Sequence, residues 1–90
     1  MKFTITQSHD GFTRTIGVGV DADSGKRLSD VTTIYDGFTL NHDSPNPPVS
    51  SYNRTFAVQQ GLTPNQPHTV QVNANHTDGT SDSGIKTWND

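Results

Sequence analysis

His68-Thr69-Val70-Gln71-Val72-Asn73-Ala74-Asn75 alternates without a break. His68, Val70, Val72 and Ala74 fall on one side and Thr69, Gln71, Asn73 and Asn75 on the other, the period of two expected of a half-buried strand. The same pattern recurs on both sides of this stretch. Phe3 and Ile5 alternate with Lys2, Thr4 and Thr6; Ile16, Val18 and Val20 alternate with Thr15, Gly17 and Gly19. Tyr52, Arg54, Phe56 and Val58 share a third face. Shorter runs carry Val31, Ile34 and Tyr35, then Phe38 and Leu40, and a last one carries Ile85 and Trp88. The spacing predicts seven strands, at about residues 2–7, 12–20, 30–35, 38–41, 52–59, 68–75 and 80–88.

Composition points the same way. The nine acidic residues are all Asp, there is no Glu, and Ala occurs only at positions 22, 57 and 74. Asp competes with the helical backbone, whereas Glu and Ala build helices, so this alphabet disfavours helix. Ninety residues make one domain. Its core must be thin, because Leu, Ile, Val and Phe together number 18 of 90 residues. No Cys is present, so no disulfide supports the fold. Residues 1–20 hold no apolar run of signal-peptide length, and no segment is long and apolar enough to span a membrane as a helix. A start at Met1 fits a complete gene product or an excised domain. Six scattered Lys and Arg against nine Asp supply no electrostatic reason to bind nucleic acid.

Turn chemistry orders the strands. Asp10-Gly11, Asp36-Gly37 and Asp78-Gly79 each stand between two alternating runs, where a type I′ hairpin needs positive φ. Longer polar connections run over 21–29, 42–51 and 61–67, and the second holds Pro45, Pro47 and Pro48. Short turns inside a sheet and longer crossings between sheets are the division made by a seven-strand antiparallel Greek-key β-sandwich. We expect that all-β fold.

Leu62-Thr63-Pro64-Asn65-Gln66-Pro67-His68-Thr69-Val70-Gln71-Val72-Asn73-Ala74 resembles the E–F corner and F strand of fibronectin type III domains, which read Leu-x-Pro-x-x-x-Tyr-x-Val-x-Val-x-Ala. The resemblance implies a fibronectin type III or immunoglobulin-like sandwich. It also implies that His68, standing where the family has Tyr, bonds backbone at the corner. Ile16 or Val18 stands in for the family's strand-B Trp. Phe56 and Val58 lie one residue further from Leu62 than the family spacing, which suggests a bulge near Gln59-Gln60.

In that topology the connections 21–29, 42–51 and 76–80 meet at one end. They bring Asp21, Asp23, Lys26, Arg27, His42, Asp43, His76 and Asp78 together. Loops at the end of a sandwich often carry recognition, so Asp23, Lys26, Arg27, His42, His76 and Asp78 are candidate binding residues. Trp88 is the other candidate, as a core cap or as a docking side chain. Asp21-Ala22-Asp23-Ser24-Gly25 opens like a calcium loop but places Lys26 at the sixth position and Thr32 at the twelfth. His42 and His76 could share the loop end, with His9 at the other. We expect no metal site and no cofactor. With no Cys, no Glu, no Gly-x-Ser-x-Gly and no phosphate loop, we expect no enzyme.

The remaining expectation is a structural or binding module that acts through protein–protein contacts. Small domains of the resembled type serve as bacteriophage capsid-decoration or tail-surface proteins. That analogy implies a capsid or tail partner, or self-association, at the virion surface, without nucleic acid or membrane. The alternative is an accessory or glycan-binding module of a secreted bacterial enzyme or adhesin, which requires exposed aromatic side chains among Tyr35, Tyr52 and Trp88.

Overall fold

The computed structural model describes all 90 residues and contains seven strands. They are β1 (Lys2–Asp10), β2 (Thr13–Asp21), β3 (Leu28–Tyr35), β4 (Phe38–Asp43), β5 (Ser51–Gln59), β6 (Pro67–His76) and β7 (Ser81–Asn89). Two antiparallel sheets form, ordered β1-β2-β5 and β4-β3-β6-β7. The predicted short turns join neighbours within a sheet, and the longer connections cross between sheets.

One shared core holds the layers together. The three-strand sheet contributes Ile16, Val18, Val20 and Tyr52, and the four-strand sheet contributes Leu28, Val31, Tyr35, Val70, Val72 and Ala74. Six of them, Ile16, Val18, Val20, Val70, Val72 and Ala74, are the in-phase residues of β2 and β6, as the alternation predicts. Along one side of the domain β1 lies against β7. A Cβ added to Gly84 in β7 would fall 2.6 Å from the Phe3 side chain, so glycine there lets the Phe3 ring close the gap. On the other side Tyr52 and Arg54 of β5 both bond Asp43 of β4.

Several expectations are corrected. Leu28, read as loop, begins β3, is fully buried, and pairs with Val49. In β3 the inward residues are Val31, Thr33 and Tyr35, whereas Ile34 faces outward. The shift between Leu28 and Asp30 makes Ser29 the extra residue that sets this phase. In β7 the two apolar residues, Ile85 and Trp88, stand an odd three positions apart and so point to opposite faces. Ile85 is 65% exposed, and Trp88 packs against the core. No bulge occurs at Gln59-Gln60, since β5 pairs regularly with β2 from Ser51 to Gln59. The bulges lie instead in β3 and at Leu40 in β4.

The three Asp-Gly turns also differ from one another. Only Asp36-Gly37 has positive φ at both residues, 48° and 87°, as type I′ requires. At the first hairpin Asp10 still pairs with Thr13, so the turn is Gly11-Phe12 with glycine leading, the arrangement of type II′. At the third, Gly79 alone is left-handed and donates its N–H to the His76 carbonyl.

Candidate functional site

The Cα trace extends 42 Å along its long axis and 19 Å across it, so its two ends are well separated. The loop end gathers most of the residues expected there. β6 runs on to His76, which is a buried strand residue, 2% exposed, rather than part of a solvated loop. Its Nε2 accepts the Asp23 backbone N–H at 3.1 Å, and its Nδ1 lies 2.9 Å from the Thr80 hydroxyl. Lys26 reaches Asp78 at 3.2 Å. Thr80 donates both its N–H and its hydroxyl to Asp78, at 3.0 and 2.6 Å. Those two bonds and the Lys26 ammonium hold the Asp78 carboxyl well below the usual range. Asp23 is held low chiefly by its bond to the Met1 amino group. Arg27 joins through its carbonyl, which accepts the Thr77 N–H.

Asp23, Lys26, His76 and Asp78 therefore lie together, in a network that ties connection 22–27 to hairpin 76–80. His42 does not share it. His42 belongs to β4, where its Nε2 is 2.9 Å from Asp30. Bonds from Ser44 and His42 lower the Asp30 carboxyl. Asp43 bonds Asn41, Tyr52 and Arg54.

Trp88 sits at the opposite end, inside a cluster the sequence did not announce. Arg14 and Asp90 are only 1% and 3% exposed. The Arg14 Nη2 donates to both Asp90 oxygens at 2.5 Å, and its Nη1 donates to Gln7 at 2.7 Å. Burial alone pushes the Asp90 carboxyl up, but the guanidinium and the Thr63 N–H and hydroxyl outweigh it and hold Asp90 low. His68 is 4% exposed. Its Nδ1 lies 2.7 Å from Asp36, and its Nε2 lies 2.6 Å from the Thr63 hydroxyl and 3.1 Å from Asp90. The expected corner bond to backbone is thus replaced by side-chain partners, because an imidazole offers two polar atoms where a phenol offers one. Trp88 stacks on His68 and on Tyr35, with centroids at 5.6 and 6.2 Å, and the Arg14 guanidinium stands 5.4 Å from its ring. Tyr35 donates its hydroxyl to Gln60.

Exposed apolar side chains surround this cluster. Phe12, Phe38 and Leu62 are 64%, 59% and 60% exposed. Phe12 and Leu62 belong to connections at this end, and Phe38 opens β4 beside the Asp36-Gly37 turn and packs edge-on against Tyr35. A Cβ on Gly61 would lie 3.2 Å from the Phe12 ring, which places that ring beside the Leu62 corner.

Asp36, His68 and Thr63 stand in the order of orienter, base and nucleophile. The Thr63 hydroxyl, however, is committed to Asp90, and neither concavity of the surface borders it. The larger concavity, about 440 Å³, is a furrow on the outer face of the three-strand sheet, lined by Thr4, Thr6, Gly17, Gly19, Asn53 and Thr55 among others.

Arg14 was detectable from sequence, since it is in phase with Ile16, Val18 and Val20. Asp90 was not, because 76 residues separate it from Arg14. Comparison with protein families, characterised proteins and solved structures finds no match to the chain.

Proposed function

We propose that the chain is a non-enzymatic structural and binding module that docks onto a protein through the end carrying Phe12, Phe38 and Leu62. The observation that carries this reading is the gathering of three of the four large exposed apolar side chains at one end. Monomeric domains seldom expose a contiguous apolar patch without a partner. Beneath them the Arg14–Asp90–His68 cluster supplies a stiff base, and stiff aromatic anchors lose little entropy on docking. The sheet orders β1-β2-β5 and β4-β3-β6-β7 support assigning a seven-strand Greek-key sandwich of the fibronectin type III or immunoglobulin kind. For the partner we retain the capsid or tail of a virion, an assignment that rests on the resemblance and on size.

The glycan-binding alternative is weaker, because Tyr35 and Tyr52 are buried and Trp88 is packed against the core. Co-sedimentation with capsid shells and with tail tubes, from the virus or host that encodes the chain, tests the proposal. Retention of the native chain and at least tenfold weaker retention of a Phe12→Ser/Phe38→Ser variant is the expected result. Failure of the native chain to pellet with either particle rejects the virion partner. Equal retention of the variant rejects the apolar end.

A further inference from the structure

The structure assigns a second interaction surface, independent of that docking end: the free edge of β5, whose occupant is β5 of a second copy of the chain. Hydrogen-bond phase identifies what the edge offers. Gln60 donates to the Phe12 carbonyl and Ala22 donates to the Ser50 carbonyl, at either end of the β2–β5 ladder. In an antiparallel ladder bonded pairs recur every two residues, so Tyr52, Arg54, Phe56 and Val58 bond β2. Ser51, Asn53, Thr55, Ala57 and Gln59 therefore turn their N–H and C=O groups away from β2. No loop or side chain bonds those groups.

The other three edges are guarded. β4 has six residues, a bulge at Leu40, and Pro45 two residues beyond its end. β1 and β7 lie against each other with Phe3 laid over Gly84, and each carries two charges, Lys2 and Asp10 in the one, Asp82 and Lys86 in the other. Asp43 of β4 approaches β5 as well, but it bonds the Tyr52 and Arg54 side chains and leaves the backbone edge open. β5 has nine residues in regular register, with no proline, no bulge and one charge, Arg54. A long, flat, scarcely charged edge is a template for another strand.

Its sequence favours itself as the occupant. Antiparallel pairing centred on Thr55 matches all nine residues, Ser51 opposite Gln59 through Thr55 opposite Thr55. Every outward-facing residue then meets an outward-facing residue, so the free backbone groups pair. In this register Arg54 faces Phe56 of the second copy, and its guanidinium already stands 5.2 Å from the Phe56 ring of its own chain. A register centred on Arg54 sets two guanidinium groups face to face, each already paired with Asp43 of its own chain, and one centred on Phe56 leaves Ser51 without a partner. Charge and length thus select the Thr55-centred two-fold, which joins two three-strand sheets into one sheet of six strands.

Sedimentation equilibrium of the whole chain up to millimolar concentration tests this, with two variants at an exposed position. The native chain is expected to approach twice the monomer mass, and Thr55→Lys, which sets like charges on the two-fold, is expected to remain monomeric with an unchanged circular dichroism spectrum. Because the chain has no cysteine, Thr55→Cys reports directly. Under oxidising conditions it is expected to form a covalent dimer at least tenfold faster than Ser83→Cys on the outer face of the other sheet. A native chain that stays monomeric, a dimer that survives Thr55→Lys, or equal cross-linking of the two cysteine variants overturns the assignment. The Phe12→Ser/Phe38→Ser variant should dimerise like the native chain, so this surface and the docking end fail separately.

Discussion

Lys26 and Asp78 meet at 3.2 Å with 37% and 48% of their side chains exposed; Arg14 and Asp90 meet at 2.5 Å with 1% and 3% exposed. Each pair joins a cation to an aspartate, at opposite ends of the domain. Water makes the difference. At the loop end solvent screens the pair, and side-chain entropy offsets much of what remains. At the other end the charges have lost their hydration, and their stability depends on each other and on the hydrogen bonds around them. The loop residues that looked most like a site thus spend their polarity on tying loops together. The end that looked unremarkable carries the buried charges and the exposed rings.

The largest expected effect is at the buried end. Arg14→Met keeps much of the volume of the side chain but takes the guanidinium from Asp90 and leaves it with Thr63 and the His68 imidazole. A fall in Tm of roughly 15 °C is expected by thermal denaturation, since removing one partner of a buried pair is strongly destabilising and small domains lose several degrees per kcal/mol. A change of a degree or two instead means that the pair contributes no more than the surface one. The comparison between the ends then collapses.

His76 is the loop end's own buried polar group. His76→Ala removes the acceptor of the Asp23 N–H and leaves a cavity beside Leu28, its cross-strand partner. A loss of about 2 kcal/mol is expected in urea denaturation. Hydrogen exchange should quicken first over residues 22–27, because that connection loses its anchor. Exchange that quickens only in β6 and β7 shows that His76 does not hold the connection.

Acid separates the ends in another way. Asp90 is held below its ordinary value, so its contribution is present above the unfolded carboxylate pKa of about 3.9 and is lost as pH falls from there toward the folded value. Asp23, Asp30, Asp43 and Asp78 are also held low, and they destabilise native and variant chains alike as the pH drops. The Tm difference between the native chain and Arg14→Met should therefore narrow between pH 5 and pH 2. A difference that stays constant removes the Arg14–Asp90 charge interaction from the account and leaves only packing.

What could be read in advance follows from the same physics. Periodicity of two identified the strands and the inward faces of β2 and β6, because burial on one face is a local, repeating constraint. It also contained His76, in phase with His68 through Ala74, and Arg14, in phase with Ile16; a polar type at an inward position was the unused signal. Leu28 escaped because Lys26, Arg27 and Ser29 around it read as loop, and its burial depends on a bridge to Val49, which is 21 residues away. The exposure of Phe12, Phe38 and Leu62 carried no sequence mark, because an apolar residue beside a turn reads the same whether it packs or protrudes. The meeting of Arg14, Asp36, Thr63, His68 and Asp90 is a product of topology, joining four separate parts of the chain.

The smallest effect is expected where the surface looks most charged. Lys26→Ala removes a pair whose members are both largely in water, and Asp78 keeps the N–H and the hydroxyl of Thr80. A Tm change within about 2 °C is expected at low salt. It should vanish in 1 M NaCl, where the screening length is about 3 Å. The effect of Arg14→Met should persist in the same salt, because ions do not enter the space around a buried pair. If added salt instead halves the Arg14→Met effect and spares that of Lys26→Ala, water reaches the Arg14–Asp90 pair. The apolar side chains of Phe12, Phe38 and Leu62 then surround a wet cleft rather than a stiff base.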